Sequence, residues 1–259
     1  MLFLRPSASP LKTYLMGTKT ARYPSISEEI GVSESSGNSN EFKRVGRPSN
    51  VFAAKSSRIA RHLLQHPSDS FLQVELADAT GLDPGYTSKI VHRLEELRLI
   101  SRNENDEVKV RDPDLLLDAW REKYDFSMHR IIKGTVAANN SRDLALALQE
   151  RLREYPGEYA ATGLTASWFM DKFATHRIVT FFVEKPTKAM LSALRFHEGE
   201  KGANVWLVLP KDEGVFQGKK MVNGLMCVHP VQAYLDVLQH PERGPEAADS
   251  LRESQLKWT

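Results

Sequence analysis

Apolar residues recur at helical or strand spacing along most of the chain, but over residues 1–50 they recur at neither. Order begins near Val51. Ser56 or Ser57 can cap a helix whose Ile59, Leu63 and Leu64 fall at i, i+4, i+5, ending near His66-Pro67. Gln73 to Thr80 is predicted as a second short helix, with Leu76 and Ala77 inward and Gly81 as its stop. Asp83-Pro84 opens a third, with Asp at the N-cap and Pro at the first helical position. Its stripe of Ile90, Leu94 and Leu97 is predicted to be buried. Leu99-Ile100-Ser101-Arg102 and Val108-Lys109-Val110-Arg111 read as two strands around the polar turn Asn103-Glu104-Asn105-Asp106. Asp112-Pro113 then caps a helix from Asp114 to about Tyr124.

Further on, Ser141 or Asp143 opens a helix with Leu144, Leu148 and Leu152 on one face, halted by Pro156-Gly157. Gly163 to Phe173 and Thr187 to Phe196 are predicted helical. Arg177 to Glu184, with its continuous Ile178-Val179-Thr180-Phe181-Phe182-Val183 run, reads as a buried strand. Ala203 to Leu209 is a second strand and Lys220 to Val228 a third. His229-Pro230 opens a helix with Ala233, Tyr234 and Leu238 inward, where His229 caps and Pro230 fixes the first turn. Glu246 to Lys257 is the last helix. Helices around three or so buried strands predict an α/β domain over residues 126–259.

Helix, helix, short turn, helix and hairpin, in that order, predict a winged helix-turn-helix over residues 51–125. With Ile90, Leu94 and Leu97 inward, Tyr86, Lys89, Arg93 and Glu96 share the opposite side of the third helix. Thr87 and Ser88 lie in its first turn, where hydroxyls and free N–H groups can meet phosphate or base edges. Lys89 and Arg93 lead as candidates for the major groove, because Arg pairs bidentately with guanine. Arg102, Lys109 and Arg111 flank the hairpin within reach of neighbouring phosphates. The expected contacts to double-stranded DNA are therefore Tyr86, Thr87, Ser88, Lys89, Arg93, Arg102 and Lys109. Each also has a plainer reading: exposed Lys and Arg are usually solvated surface, and Tyr86 can pack on its own helix. His92 is more simply a structural or surface histidine. The hairpin tip, Asn103 to Glu107, is acidic and repels a duplex, and a module of this kind can also bind protein instead of DNA.

The chain has 259 residues, 41% hydrophobic and 26% charged, which suits a soluble globular protein of one large domain or two small ones. No stretch approaches the roughly 18 to 20 consecutive apolar residues of a membrane span. The lone Cys227 rules out an internal disulfide and fits a reducing compartment, so a cytoplasmic protein is expected. The net charge of +2 is uneven along the chain: residues 51–125 carry eleven Lys and Arg against fourteen acids. DNA binding by that module then needs a local basic face. Residues 1–50 carry nine serines and the apolar-poor stretch Ser33 to Asn40, the composition of a flexible arm. Arg5, Lys12, Lys19 and Arg22 give that arm a faint transit-peptide character, but an arm or an upstream start codon is the expected reading. Lys43-Arg44-Val45-Gly46-Arg47-Pro48 contains a Gly-Arg-Pro core of the minor-groove type, readable equally as a basic linker.

Catalytic constellations are missing from the second half. It has no Gly-rich phosphate loop, and His129, His176, His197, His229 and His240 lack metal spacing. Glu184 and Lys185 are adjacent on a strand, so they face opposite ways and cannot share a site. A nucleotidyltransferase needs a Gly-Ser turn and then Asp-x-Asp on the following strand; here Thr162-Gly163-Leu164-Thr165-Ala166-Ser167 is followed by Arg177-Ile178-Val179-Thr180-Phe181-Phe182, without the carboxylates. No catalytic residue, metal or cofactor is expected. Two alternatives stay open: a nucleotide-acting enzyme, and a sensor holding a small ligand near Trp168, Phe181 or Trp206.

Two family resemblances add to this reading. Gly81 to Ile100 resembles the recognition-helix stretch of MarR-type bacterial regulators. Thr162-Gly163-Leu164-Thr165-Ala166, Val205-Trp206-Leu207-Val208-Leu209-Pro210, His229-Pro230-Val231-Gln232-Ala233-Tyr234-Leu235-Asp236-Val237-Leu238, Pro241-Glu242-Arg243-Gly244 and Glu246-Ala247-Ala248 resemble the AbiEi family of type IV toxin–antitoxin antitoxins. That resemblance covers about 200 residues from Val51 onward, and the chain departs from it in its serine-rich front and acidic winged helix. It implies an α+β fold in which an N-terminal winged helix-turn-helix is followed by an α/β nucleotidyltransferase-like domain without catalytic acids. It further implies an autorepressor that antagonises a nucleotidyltransferase-like toxin without needing to touch it. A homodimer on a palindrome or repeat is the corresponding expectation.

Overall fold

In the N-terminal half each expected helix forms, and the local chemistry explains where each begins and ends. The computed structural model describes residues 50–258. The Gly-Arg-Pro core and the arm before Asn50 lie outside the described residues. Helix α1 (Ser57–Gln65) buries Ile59, Leu63 and Leu64. Neither serine caps it as expected: Ser57 Oγ donates to the Ala54 carbonyl at 2.8 Å, and Ser56 Oγ lies 2.7 Å from the Tyr86 hydroxyl. Helix α2 (Gln73–Thr80) starts where Glu75 accepts from the Leu72 N–H at 2.8 Å. It stops on Gly81, whose φ of 62° lies in the left-handed region.

Helix α3 (Pro84–Glu96) is capped by Asp83, which accepts from the Tyr86 N–H at 3.0 Å. Its buried stripe is Thr87, Ile90, Val91 and Leu94, at i, i+3, i+4, i+7. The stripe expected from sequence began one turn too late. Leu97 is 44% exposed, because the helix ends at Glu96 and Arg98 turns the chain at a φ of 59°. Strands β1 (Ile100–Arg102) and β2 (Val108–Val110) pair antiparallel with Ile100 opposite Val110. Helix α4 (Pro113–Arg121) follows, capped by Asp112 through the Asp114 and Leu115 N–H groups at 2.9 and 3.1 Å.

The C-terminal half holds more strands than its apolar runs suggested. It runs β3 (Arg130–Thr135), α5 (Ser141–Leu152), β4 (Tyr159–Ala161), α6 (Gly163–Asp171), β5 (Val179–Val183), α7 (Lys188–Ala193) and β6 (His197–Glu198). It continues through β7 (Val205–Leu209), β8 (Lys220–Val222), β9 (Leu225–Cys227), α8 (Pro230–Val237) and α9 (Gly244–Gln255). Seven of these strands form one sheet in the order β6-β3-β7-β5-β4-β9-β8. β5 runs parallel to β7 and β4 to β9, while the other neighbours are antiparallel. The protein is therefore α+β, and the α/β expectation for this half gives way to a mixed sheet. The segment expected as one strand, Lys220 to Val228, is a hairpin. Asn223 and Gly224 turn it with φ values of 49° and 88°, the positive pair that a two-residue primed turn requires.

Every residue of β5 is buried, so the sheet is covered on both faces there. Helices α6, α8 and α9 pack together, and α1 packs on α8, which joins the N-terminal helices to the sheet half. All eight residues of α8 are buried, not only the face marked by Ala233 and Tyr234. Among the described residues no helix is long and apolar enough to cross a membrane.

Candidate nucleic-acid interface and a buried polar junction

The outward face of α3 is built by the cap at Asp83 and the stripe beneath it. Ser88 and Lys89 are exposed there, and Lys89 forms no ion pair with any described residue. Lys109 is exposed on β2, between the buried Val108 and Val110. Other expected contacts are placed differently. Thr87 is fully buried, since it belongs to the inward stripe, and so cannot reach a duplex. Tyr86 is half-buried and its hydroxyl is engaged by Ser56 on the N-terminal side of α1, so the packed reading of this residue describes its place better than an open DNA contact.

Acids occupy two of the arginines. Arg93 is held by Glu96 at 2.7 Å, and His92 lies 3.2 Å from the same carboxylate. Arg102 is bound by Asp106 at 2.7 Å and by Glu95 at 3.4 Å. With the Gln73 amide oxygen turned towards Arg102, that oxygen accepts at 2.7 and 3.0 Å while the amide nitrogen donates to Ser88 Oγ at 3.2 Å. Arg102 is thus a neutralised brace of the hairpin, not the open phosphate contact expected of it. The acidic tip is organised around Asn103, whose side-chain oxygen accepts from the Asn105 and Glu107 N–H groups, both at 3.0 Å. Arg98 and Arg111 stand exposed at either side of the hairpin's base, and sequence reasoning left Arg98 out.

A second polar constellation lies inside the protein, where α1, α8 and the segment after α4 meet. Asp236 on α8 accepts from the Tyr124 and Thr162 hydroxyls, and from Gln232 Nε2 at 2.7 Å. Arg61 on α1 donates to Gln232 Oε1 at 2.6 Å, so one amide links a buried cation to a buried carboxyl. Arg61 also lies 5.0 Å over the Trp120 ring, while its Nε and Nη1 have no partner among the described residues. Burial pulls its pKa down to about 10, leaving it a cation at neutral pH. Burial pushes Asp236 up to about 7, against the hydrogen bonds that favour its charge. His129 Nε2 meets the Tyr124 hydroxyl at 3.0 Å and its Nδ1 accepts from the Lys211 N–H, also at 3.0 Å. Burial lowers His129 to about 4, so it is a neutral ring here. Nearby, Arg58 clamps Asp212 with two bonds of 2.7 Å and reaches Glu213 at 3.1 Å.

Arg61, Tyr124, Gln232 and Asp236 were missed in the sequence, although one signal marked them. Gln232 and Asp236 are polar at i and i+4 in a helix that is otherwise apolar, which calls for buried partners. The junction is 2% exposed at Arg61 and 1% at Asp236, closed to substrate, and it does the work of joining two halves. Among the described residues no group of three or more His, Cys, Asp or Glu is placed to hold a metal. Trp168 and Trp206 pack against the core and Phe181 is fully buried; Trp206 lies beside His240 with ring centroids 5.4 Å apart. All three of the aromatics named for the ligand-sensing alternative are thus engaged in core packing. No protein-family model, curated protein or solved structure matches this chain.

Proposed function

We propose that the chain is a cytoplasmic DNA-binding transcriptional regulator, with α1 to α4 and the β1–β2 hairpin acting as a winged helix-turn-helix. Lys89 carries the reading: an exposed cation, unpaired among the described residues, beside Ser88 on the outer face of the third helix, with the hairpin following it. Lys109, Arg98 and Arg111 add phosphate-directed charge, and Arg93 joins them once a phosphate competes with Glu96. The C-terminal half acts as an antitoxin domain of nucleotidyltransferase-like descent without catalysis. Its buried Asp236 is hydrogen-bonded by Tyr124, Thr162 and Gln232 and feels the Arg61 charge, with no second carboxylate among the described groups acting on it. In that role the protein binds its own operator as a homodimer and opposes a toxin without a required complex.

The experiment is an operator shift with the full chain and its K89A/R93A variant at moderate salt. Loss of binding with unchanged melting is expected, and binding that persists in the double variant overturns the assignment. A second reading, protein contact through the same face, is favoured by the acids that hold Arg93 and Arg102. It gains if duplex DNA fails to bind even at low salt, where phosphate contacts are strongest.

A further inference from the structure

A cleft of about 350 Å³ opens beyond the end of β3, against α5 and the α7–β6 turn. Helical spacing explains why it exists. Asp143, Ala147 and Arg151 fall at i, i+4, i+8 along the cleft side of α5, while Leu144 and Leu148 form its buried floor. The methyl of Ala147 leaves open the space that a long side chain would fill, and Ala137 and Ala138 do the same on the opposite wall.

The rim is cationic. Arg151 uses one N–H on the Ala193 carbonyl at 3.1 Å, which fixes the guanidinium at the mouth. Arg195, two residues past the end of α7, turns the chain with a φ of 52° while its N–H donates to the Ser192 carbonyl at 2.9 Å; the residue is exposed and its side chain bonds to no described residue. His197 lines the same mouth from β6. Asp143, the one acid lining the cleft among the described residues, is already engaged: Asn140 Nδ2 donates to it at 2.8 Å and Arg142 lies 3.9 Å away. Among the described residues no Phe, Tyr or Trp lines the cleft, and its floor is aliphatic.

We propose that this cleft binds a small amphiphilic anion: Arg195, Arg151 and His197 hold a carboxylate or phosphate head, and the aliphatic body lies over Leu144 and Leu148. Guanidinium forks match both head groups, and the volume falls in the range of roughly 300–1,000 Å³ typical of small-molecule clefts. The proposal does not depend on DNA binding.

The test is calorimetric titration of the full chain with sodium hexanoate, hexyl phosphate, hexan-1-ol and inorganic phosphate. Saturable binding of hexanoate or hexyl phosphate is expected, and whichever is tighter identifies the head group. Hexan-1-ol and inorganic phosphate each bind at least about tenfold more weakly, because each lacks one half of the recognition. R195E and A147L each weaken the favoured anion by about tenfold or more while melting stays unchanged, since both positions are exposed. R195Q serves as the milder variant if R195E alters the melting. Binding of hexan-1-ol as tight as either anion, binding that survives both R195E (or R195Q) and A147L, or no binding by either anion overturns the proposal.

Discussion

Replacing Asp236 by Asn tests which force governs the buried junction. Desolvation moves this carboxyl from 3.8 to about 7, although the Thr162, Tyr124 and Gln232 hydrogen bonds and the Arg61 charge all pull the other way. A raised pKa means that the folded protein holds the proton more tightly than the unfolded chain. The contribution of Asp236 is thus fully present below about pH 4 and is lost as pH rises through 7. The whole shift corresponds to about 4 kcal/mol, of which about 2–3 kcal/mol falls between pH 5 and pH 8. Asn cannot ionise, but its oxygen can still accept from Tyr124 and Gln232. The loss of the Thr162 bond costs about 1 kcal/mol at every pH. Urea unfolding of both proteins at pH 5, 6, 7 and 8 gives a difference in which the other titrating groups cancel. D236N should gain about 2–3 kcal/mol on the parent across that range, levelling off above pH 8. A flat difference, or a parent that gains on the variant as pH rises, refutes the reasoning; the donors would then outweigh desolvation.

Three further outcomes are expected. Burial lowers His129, His176, His229 and His240 from 6.5 to about 4, so their contribution is present above pH 6.5 and is lost as pH falls towards 4. His176→Phe should flatten the acid limb of the stability profile by about 2 kcal/mol between pH 7.5 and 5, and an unchanged slope in urea titrations contradicts it. Gly214→Ala should destabilise by about 1–3 kcal/mol, because a Cβ there lies 2.8 Å from Arg58 Cγ and 2.9 Å from Arg61 Nη1; an unaltered thermal midpoint would show that the clamp yields. Glu96→Gln should free Arg93 from its 2.7 Å partner and tighten duplex binding, steepening the salt dependence by about one phosphate's worth. Affinity that stays level or falls in a salt series argues against groove contact by Arg93.

The sequence is most informative where one side chain decides a local geometry. Asp83 and Asp112 cap their helices as their position before proline predicts, and His229 accepts from the Val231 N–H at 3.3 Å in the same role. Leu144, Leu148 and Leu152 lie buried on α5 as their spacing requires. Legibility falls where tertiary partners decide. β3 and β4 are built from Arg130-Ile131-Ile132-Lys133 and Tyr159-Ala160-Ala161, too mixed or too short to announce strands without the neighbours they pair with. The hairpin at Asn223-Gly224 is different, because its turn dipeptide was present in the sequence and went unused. The face of α3 was half legible. Lys89 follows from helical spacing alone, whereas the neutralisation of Arg102 depends on Glu95 and Asp106 converging from a helix and a turn.

The amide of Gln232 ties residues that the ribosome makes far apart: Arg61 lies 171 positions before it, and Tyr124 lies 108 before it. Until α8 has been synthesised, the Arg61 guanidinium has Trp120 beside it but lacks the Gln232 oxygen that receives it in the finished core. High contact order of this kind slows folding, and it postpones the finished core until nearly the whole chain has emerged. The bond that joins the two halves can therefore close only after residue 232 has been made, which puts this junction among the last parts of the core to form.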